Sequence, residues 1–98
     1  MDFVELNIYD ENGNIARTVR KPITMGLWKK SRQVALAIAE MVNSTEDKVT
    51  AGLESYNMTI DFICDVMGIN KETELDNVYP GSITAAYNKI INSAHTPL

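Results

Sequence analysis

The sequence predicts an α+β fold, mainly α-helical, in which a small N-terminal β-hairpin precedes three main helices and a short helical turn. Three observations predict it. Strict apolar alternation is confined to the first twenty or so residues. From Met25 onward apolar side chains recur at helical spacing. A hydrophobic content of 45% over 98 residues fits one domain, residues 1–98, with one core.

The hairpin spans residues 3–20. Phe3–Tyr9 alternates, placing Val4, Leu6 and Ile8 on one face of a half-buried strand. Asn12-Gly13 supplies residue types that tolerate the positive φ of a tight turn. A second strand over about 15–20 can then set Val19 opposite Leu6. Because a lone two-stranded hairpin is marginal in water, it must lie on a helix or join another strand.

Pro22 ends the strand, and Thr24 is suited to cap a helix over about 25–42. Leu27, Val34, Ile38, Met41 and Val42 form its stripe, whereas Leu36 falls among the charges. Ser44 or Thr45 can cap a second helix over about 46–67, with Glu46 and Asp47 favouring the dipole in its first turn. Gly68 and Ile69 fit a Schellman-type stop. Residues 74–79 form one helical turn, Pro80-Gly81 a turn, and Ser82 caps a last helix to about Ala94, with Ile83, Ala86, Tyr87, Ile90 and Ile91 as its stripe.

The second helix carries two apolar stripes. Val49, Leu53, Tyr56, Ile60, Ile63, Cys64 and Met67 make the longer one; Met58, Phe62 and Val66 make a shorter one across the helix. Leaving the shorter stripe in water would forfeit about 5 kcal/mol, comparable with the stability of a whole small domain. Either the hairpin or last helix covers it, or a second polypeptide does. Met58, Phe62, Val66 and Leu36 are therefore the candidate protein-binding residues.

The formal charge of -4 disfavours a nucleic-acid-coating role. Every charged residue from Arg17 to Arg32 is nevertheless basic, while carboxylates dominate from Glu40 to Asp76. Such polarity can steer a partner or let copies stack into a homo-oligomer, although each charge is equally explained by a solvated face. Lys29, Lys30 and Arg32, at the start of a helix, form a charged patch that could grip phosphate, so a small nucleic-acid-binding regulator is the alternative function. The N-terminal residues lack a signal-peptide pattern, and no stretch approaches the roughly 20 apolar residues of a membrane span, so a cytoplasmic protein is expected.

Catalysis, metals and cofactors are not expected. Glycine-loop, HExxH and CxxC motifs are absent from the sequence. Asp10–Asn14 resembles the opening of a calcium loop, but glycine stands at its fourth position and Lys21 at its twelfth. His95 has no ligand-type neighbour, Cys64 sits in an apolar stripe beside Asp61 and Asp65, and those two carboxylates fit a solvated strip.

The order of these segments resembles the tail assembly chaperones of long-tailed (siphovirus-type) bacteriophages of Gram-positive hosts. Val4-Glu-Leu-Asn-Ile-Tyr-Asp-Glu-Asn-Gly13, then Arg20-Lys-Pro-Ile-Thr24 and a helix opening Leu27-Trp-Lys-Lys30, is similar to that family's strand, turn and basic helix start. Ile60–Gly68 resembles its Asp-Phe-Val-x-x-x-Phe-Gly helix end, and Leu75–Gly81 its Asp-Asp-Val-Tyr-Asp-Gly segment. Met67 stands where the family often has Phe, Pro80 replaces an acidic residue, and the last helix has fewer acids. The resemblance implies a non-catalytic chaperone that binds the helical tape-measure protein in the host cytoplasm, helps recruit tail-tube protein, and is absent from the mature virion.

Overall fold

The computed structural model of the chain describes residues 2–93; the expected helix end at Ala94, and His95, lie outside the described residues. The chain has the expected α+β architecture: β1 (Phe3–Tyr9) and β2 (Ile15–Pro22), then α1 (Met25–Ser44), α2 (Lys48–Met67), a 3-10 turn η1 (Leu75–Asn77) and α3 (Pro80–Asn92). No helix among the described residues is long and apolar enough to cross a membrane.

The two strands pair antiparallel with Leu6 opposite Val19, as the alternation requires. The turn is built on Asp10, whose Oδ1 accepts from the N–H groups of Asn12 and Asn14, both at 2.9 Å. Within this turn only Gly13 adopts positive φ, at 83°, so the connection is wider than a two-residue turn and shifts the register between Ile8 and Tyr9. β2 runs two residues past its expected end at about 20, and Pro22 pairs opposite Phe3 as its last residue. A strand end tolerates the missing N–H, and the Ile23 N–H continues the pairing to the Asp2 carbonyl at 2.8 Å.

Thr24 caps α1 through a hydrogen bond from the Leu27 N–H. The helix runs two residues past its expected end. The Ser44 and Thr45 hydroxyls turn back to donate to the Met41 carbonyl, at 3.1 and 2.7 Å, and so finish α1 instead of starting α2. The cap of α2 is Asp47, which accepts from the Val49 N–H and from the Thr50 hydroxyl. At the far end Gly68 takes the left-handed conformation and the Ile69 N–H reaches the Cys64 carbonyl at 2.9 Å, the expected Schellman stop. Pro80 begins α3 as its first residue instead of breaking the chain before it. Its ring presets helical φ, and its missing N–H would have been unpaired there.

Val4, Leu6, Ile8 and Val19 from the hairpin meet Phe62, Ile63, Cys64 and Met67 from α2 and Ile83, Ala86 and Ile90 from α3 in one core. The sheet lies chiefly on α3, and α1 packs on both α2 and α3. The domain is thin, 41 × 37 × 17 Å, and α1 pays for that thinness: its only buried residue is Ser31. Leu27 and Val34 pack half-buried against the core.

Arg17, opposite Ile8 in register, bridges the hairpin to the chain after α2. Its guanidinium grips Glu74 through two 2.9 Å hydrogen bonds and donates to the Gly68 carbonyl at 3.2 Å. The bond from Arg17, helped by the Asn70 N–H, holds the Glu74 carboxyl below its ordinary value of 4.5. A depressed folded-state pKa contributes stability that is present above the unfolded value and lost as pH falls through the folded one. Glu74→Gln is therefore expected to lower the urea midpoint at neutral pH, with the gap to wild type closing as pH falls below 4.5. Denaturation at several pH values checks this; a gap that widened on acidification would count against the bridge.

Candidate protein-binding surfaces

α1 and α2 run antiparallel as a helical hairpin, and the seam between them opens into a groove on each side. Val34 and Ala37 of α1 face one groove, of about 490 Å³, across from Met58, Asp61, Phe62 and Asp65 of α2 and Lys71. Val66 lies further along the same seam with Leu27, Lys30 and Asp65. Met58 and Val66 are half-buried, so the shorter stripe of α2 does line a seam, with the two ends accessible.

Phe62 departs from the expectation of an open apolar stripe. It is only 8% exposed, because its ring meets the edge of Tyr87 from α3 at 6.1 Å and 89°. The last helix of the same chain covers it, and Phe62 forms the floor of the groove. Burial pushes the Tyr87 phenol up.

Leu36 is not brought to this seam. It is 66% exposed, and at about 100° per residue it points away from the packed Ile38 side of α1. The same geometry splits the basic trio. Lys30 faces the seam, whereas Lys29 and Arg32 share the outer face with Leu36. Arg32 sits 5.7 Å above the Trp28 ring. Arg20 similarly covers Phe3 at 3.9 Å, so part of the basic half of the chain is already engaged within the fold.

Along the rim, Lys71 binds Asp61 at 2.6 Å, and that bond raises the Lys71 pKa. Asp61 is thus engaged by a cation of its own chain. Cys64 is buried, and burial pushes its thiol up, away from the thiolate a nucleophile needs.

The most exposed apolar residues of α2 belong to the longer stripe, although a domain of three elements can readily cover one stripe. Val49 is 72% and Leu53 65% exposed, with Tyr56 at 39%. The cause is length. α2 has 20 residues and α3 only 13, so at about 1.5 Å per residue α2 overshoots its cover by roughly 10 Å. The Tyr56 hydroxyl donates to the Pro80 carbonyl at 3.4 Å and marks where α3 begins. The unequal helix lengths were the available signal for this patch in the sequence. Comparison with family models, curated proteins and solved structures finds no match for the chain.

Proposed function

We propose that the chain is a phage tail assembly chaperone: a non-catalytic protein that binds the helical tape-measure protein in the host cytoplasm, helps to recruit tail-tube subunits, and does not remain in the virion. The order and spacing of its strand, basic helix start, Phe-containing helix end and Val-Tyr turn support this reading. The structural observation that carries it is the α1–α2 seam, an open groove with Phe62 as its floor and half-buried Met58 and Val66 along it. Such a groove suits one apolar face of a helix, and the flexible thioether of Met58 adapts to differing client side chains.

Co-expression with the tape-measure protein of the same phage tests it. Wild type is expected to co-purify with the client, and Met58→Asp to lose it by at least about tenfold, since a carboxylate desolvated against an apolar helix costs well over 1.4 kcal/mol. Met58 is half-buried and at the groove edge, so circular dichroism should stay native. Failure of the wild type to hold the client would overturn the reading. The alternative, nucleic-acid binding through Lys29, Lys30 and Arg32, predicts a salt-sensitive gel shift abolished by neutralising the three. The split of that trio between two faces of α1 favours the chaperone reading. Recovery of the protein from purified particles would instead indicate a tail subunit.

A further inference from the structure

The second groove lies on the other side of the α1–α2 seam. Ala35 and Ile38 face it across from Gly52, Ser55 and Thr59 of α2, with Tyr87 closing its end, and its volume is about 400 Å³. Three of the hydroxyls that line it, with Thr84 and Tyr87 completing the wall, are already used. Ser55 donates to the Ala51 carbonyl at 2.8 Å, Thr59 to the Ser55 carbonyl at 3.0 Å and Tyr56 to the Pro80 carbonyl at 3.4 Å, so covering those three strands no donor. Next to this hollow, on the overshooting end of α2, Leu53 and Val49 project into solvent.

Gly52 stands in the middle of this stretch. Glycine inside a helix is destabilising relative to alanine, yet a Cβ added at Gly52 would meet nothing within 4 Å. The fold of one chain therefore gives no reason for a glycine here. Close approach of a group from outside the chain does.

We propose that two copies associate through this face as a two-fold symmetric dimer, with α2 crossing α2 antiparallel near Gly52 and each Leu53 entering the hollow of the other copy. A two-fold interface must be self-complementary, and one patch here carries both the apolar projection and the apolar hollow. Val49, Gly52, Leu53 and Tyr56 place no carboxylate on the contact. The antiparallel crossing sends the acidic starts of the two helices, Glu46 and Asp47, to opposite ends. At about 1.5 Å per residue they lie roughly 20 Å apart, two screening lengths, so the overall negative charge does not oppose the contact. Val49, Leu53 and Tyr56, at 72%, 65% and 39% exposure, present on the order of 300 Å² of surface, the lower end of the patches that mark interaction sites. With the hollow walls, two copies bury on the order of 1,000 Å², the small end of specific interfaces, where association is weak and reversible. The dimer does not depend on the chaperone reading, because the seam around Phe62 stays open.

Sedimentation velocity across roughly 1–200 μM is the test, a range suited to a micromolar equilibrium. Wild type is expected to shift from monomer to dimer. Leu53→Glu should remain monomeric at every concentration. Gly52→Leu should fill its own hollow, weaken the dimer at least about tenfold, and raise the thermal midpoint of the monomer, since leucine is the better helix former. Ile15→Glu, an equally exposed apolar site on the hairpin, should leave the equilibrium unchanged. Wild type monomeric throughout would overturn the proposal. So would a dimer indifferent to both α2 variants, or one broken by Ile15→Glu.

Discussion

Phe62→Asp is expected to unfold the protein. The ring belongs to the main core and is 8% exposed against the Tyr87 edge. Truncation of such a ring alone costs about 3–5 kcal/mol, and a carboxylate in its place adds a desolvation penalty with no cation to offset it. The lysine that lines this groove, Lys71, is already held by Asp61 at 2.6 Å. Against a total stability of about 5–15 kcal/mol for a domain, the loss removes most or all of the margin. Far-UV circular dichroism and urea titration would register it as lost helix or a midpoint near zero denaturant. A native-like spectrum with an unchanged midpoint would place the ring outside the core. The same burial makes Met58, at the accessible edge, the better probe of client binding.

The contrast between Phe62 and Leu53 marks what was legible in the sequence. Features set by a few neighbouring residues were readable. The alternation of Val4, Leu6 and Ile8, the Leu6–Val19 pairing, the Thr24 cap and the Gly68–Ile69 stop all follow from local chemistry, and the structure has each of them. Competition between adjacent local signals was harder to read. Ser44, Thr45 and Asp47 are all good caps, and which helix each serves depends on where the side chains turn: two hydroxyls fold back onto the Met41 carbonyl, leaving Asp47 for α2.

Least legible was which stretch of an apolar stripe finds a partner. Periodicity gives the direction a side chain faces, but not how far the neighbouring element reaches. Met58, Phe62 and Val66 looked surplus, yet α3 reaches Phe62. Val49 and Leu53 looked easy to cover, yet α3 stops at Pro80 and leaves them wet. Placing these residues needs the overlap of a 20-residue and a 13-residue helix, a tertiary quantity. The basic trio followed the same logic: three charges close in sequence, on an element whose turn spreads them over two faces.

Ser31→Leu is expected to destabilise the protein by about 2–3 kcal/mol, although it replaces a polar residue by an apolar one at a buried site. Ser31 is the one buried residue of α1, and its hydroxyl donates to the Trp28 carbonyl at 2.6 Å, so no polar group is left unpaired. One turn earlier the Trp28 indole N–H reaches the Ile91 carbonyl at 3.2 Å, tying α1 to the end of α3. Together these contacts describe a helix held close to its neighbours at a point where only a small side chain fits. Two further heavy atoms have no space there unless α1 moves outward and breaks the indole bond. Ser31→Ala, by contrast, keeps the close approach, gains helix propensity, and should stay within about 0.5 kcal/mol of wild type. Because Trp28 is the only tryptophan, its fluorescence reports the docking of α1 directly: a red shift in the leucine variant, none in the alanine variant, alongside urea midpoints that separate the two. A leucine variant as stable as wild type would mean that hydrophobicity, and not the closeness of the helix crossing, governs this position.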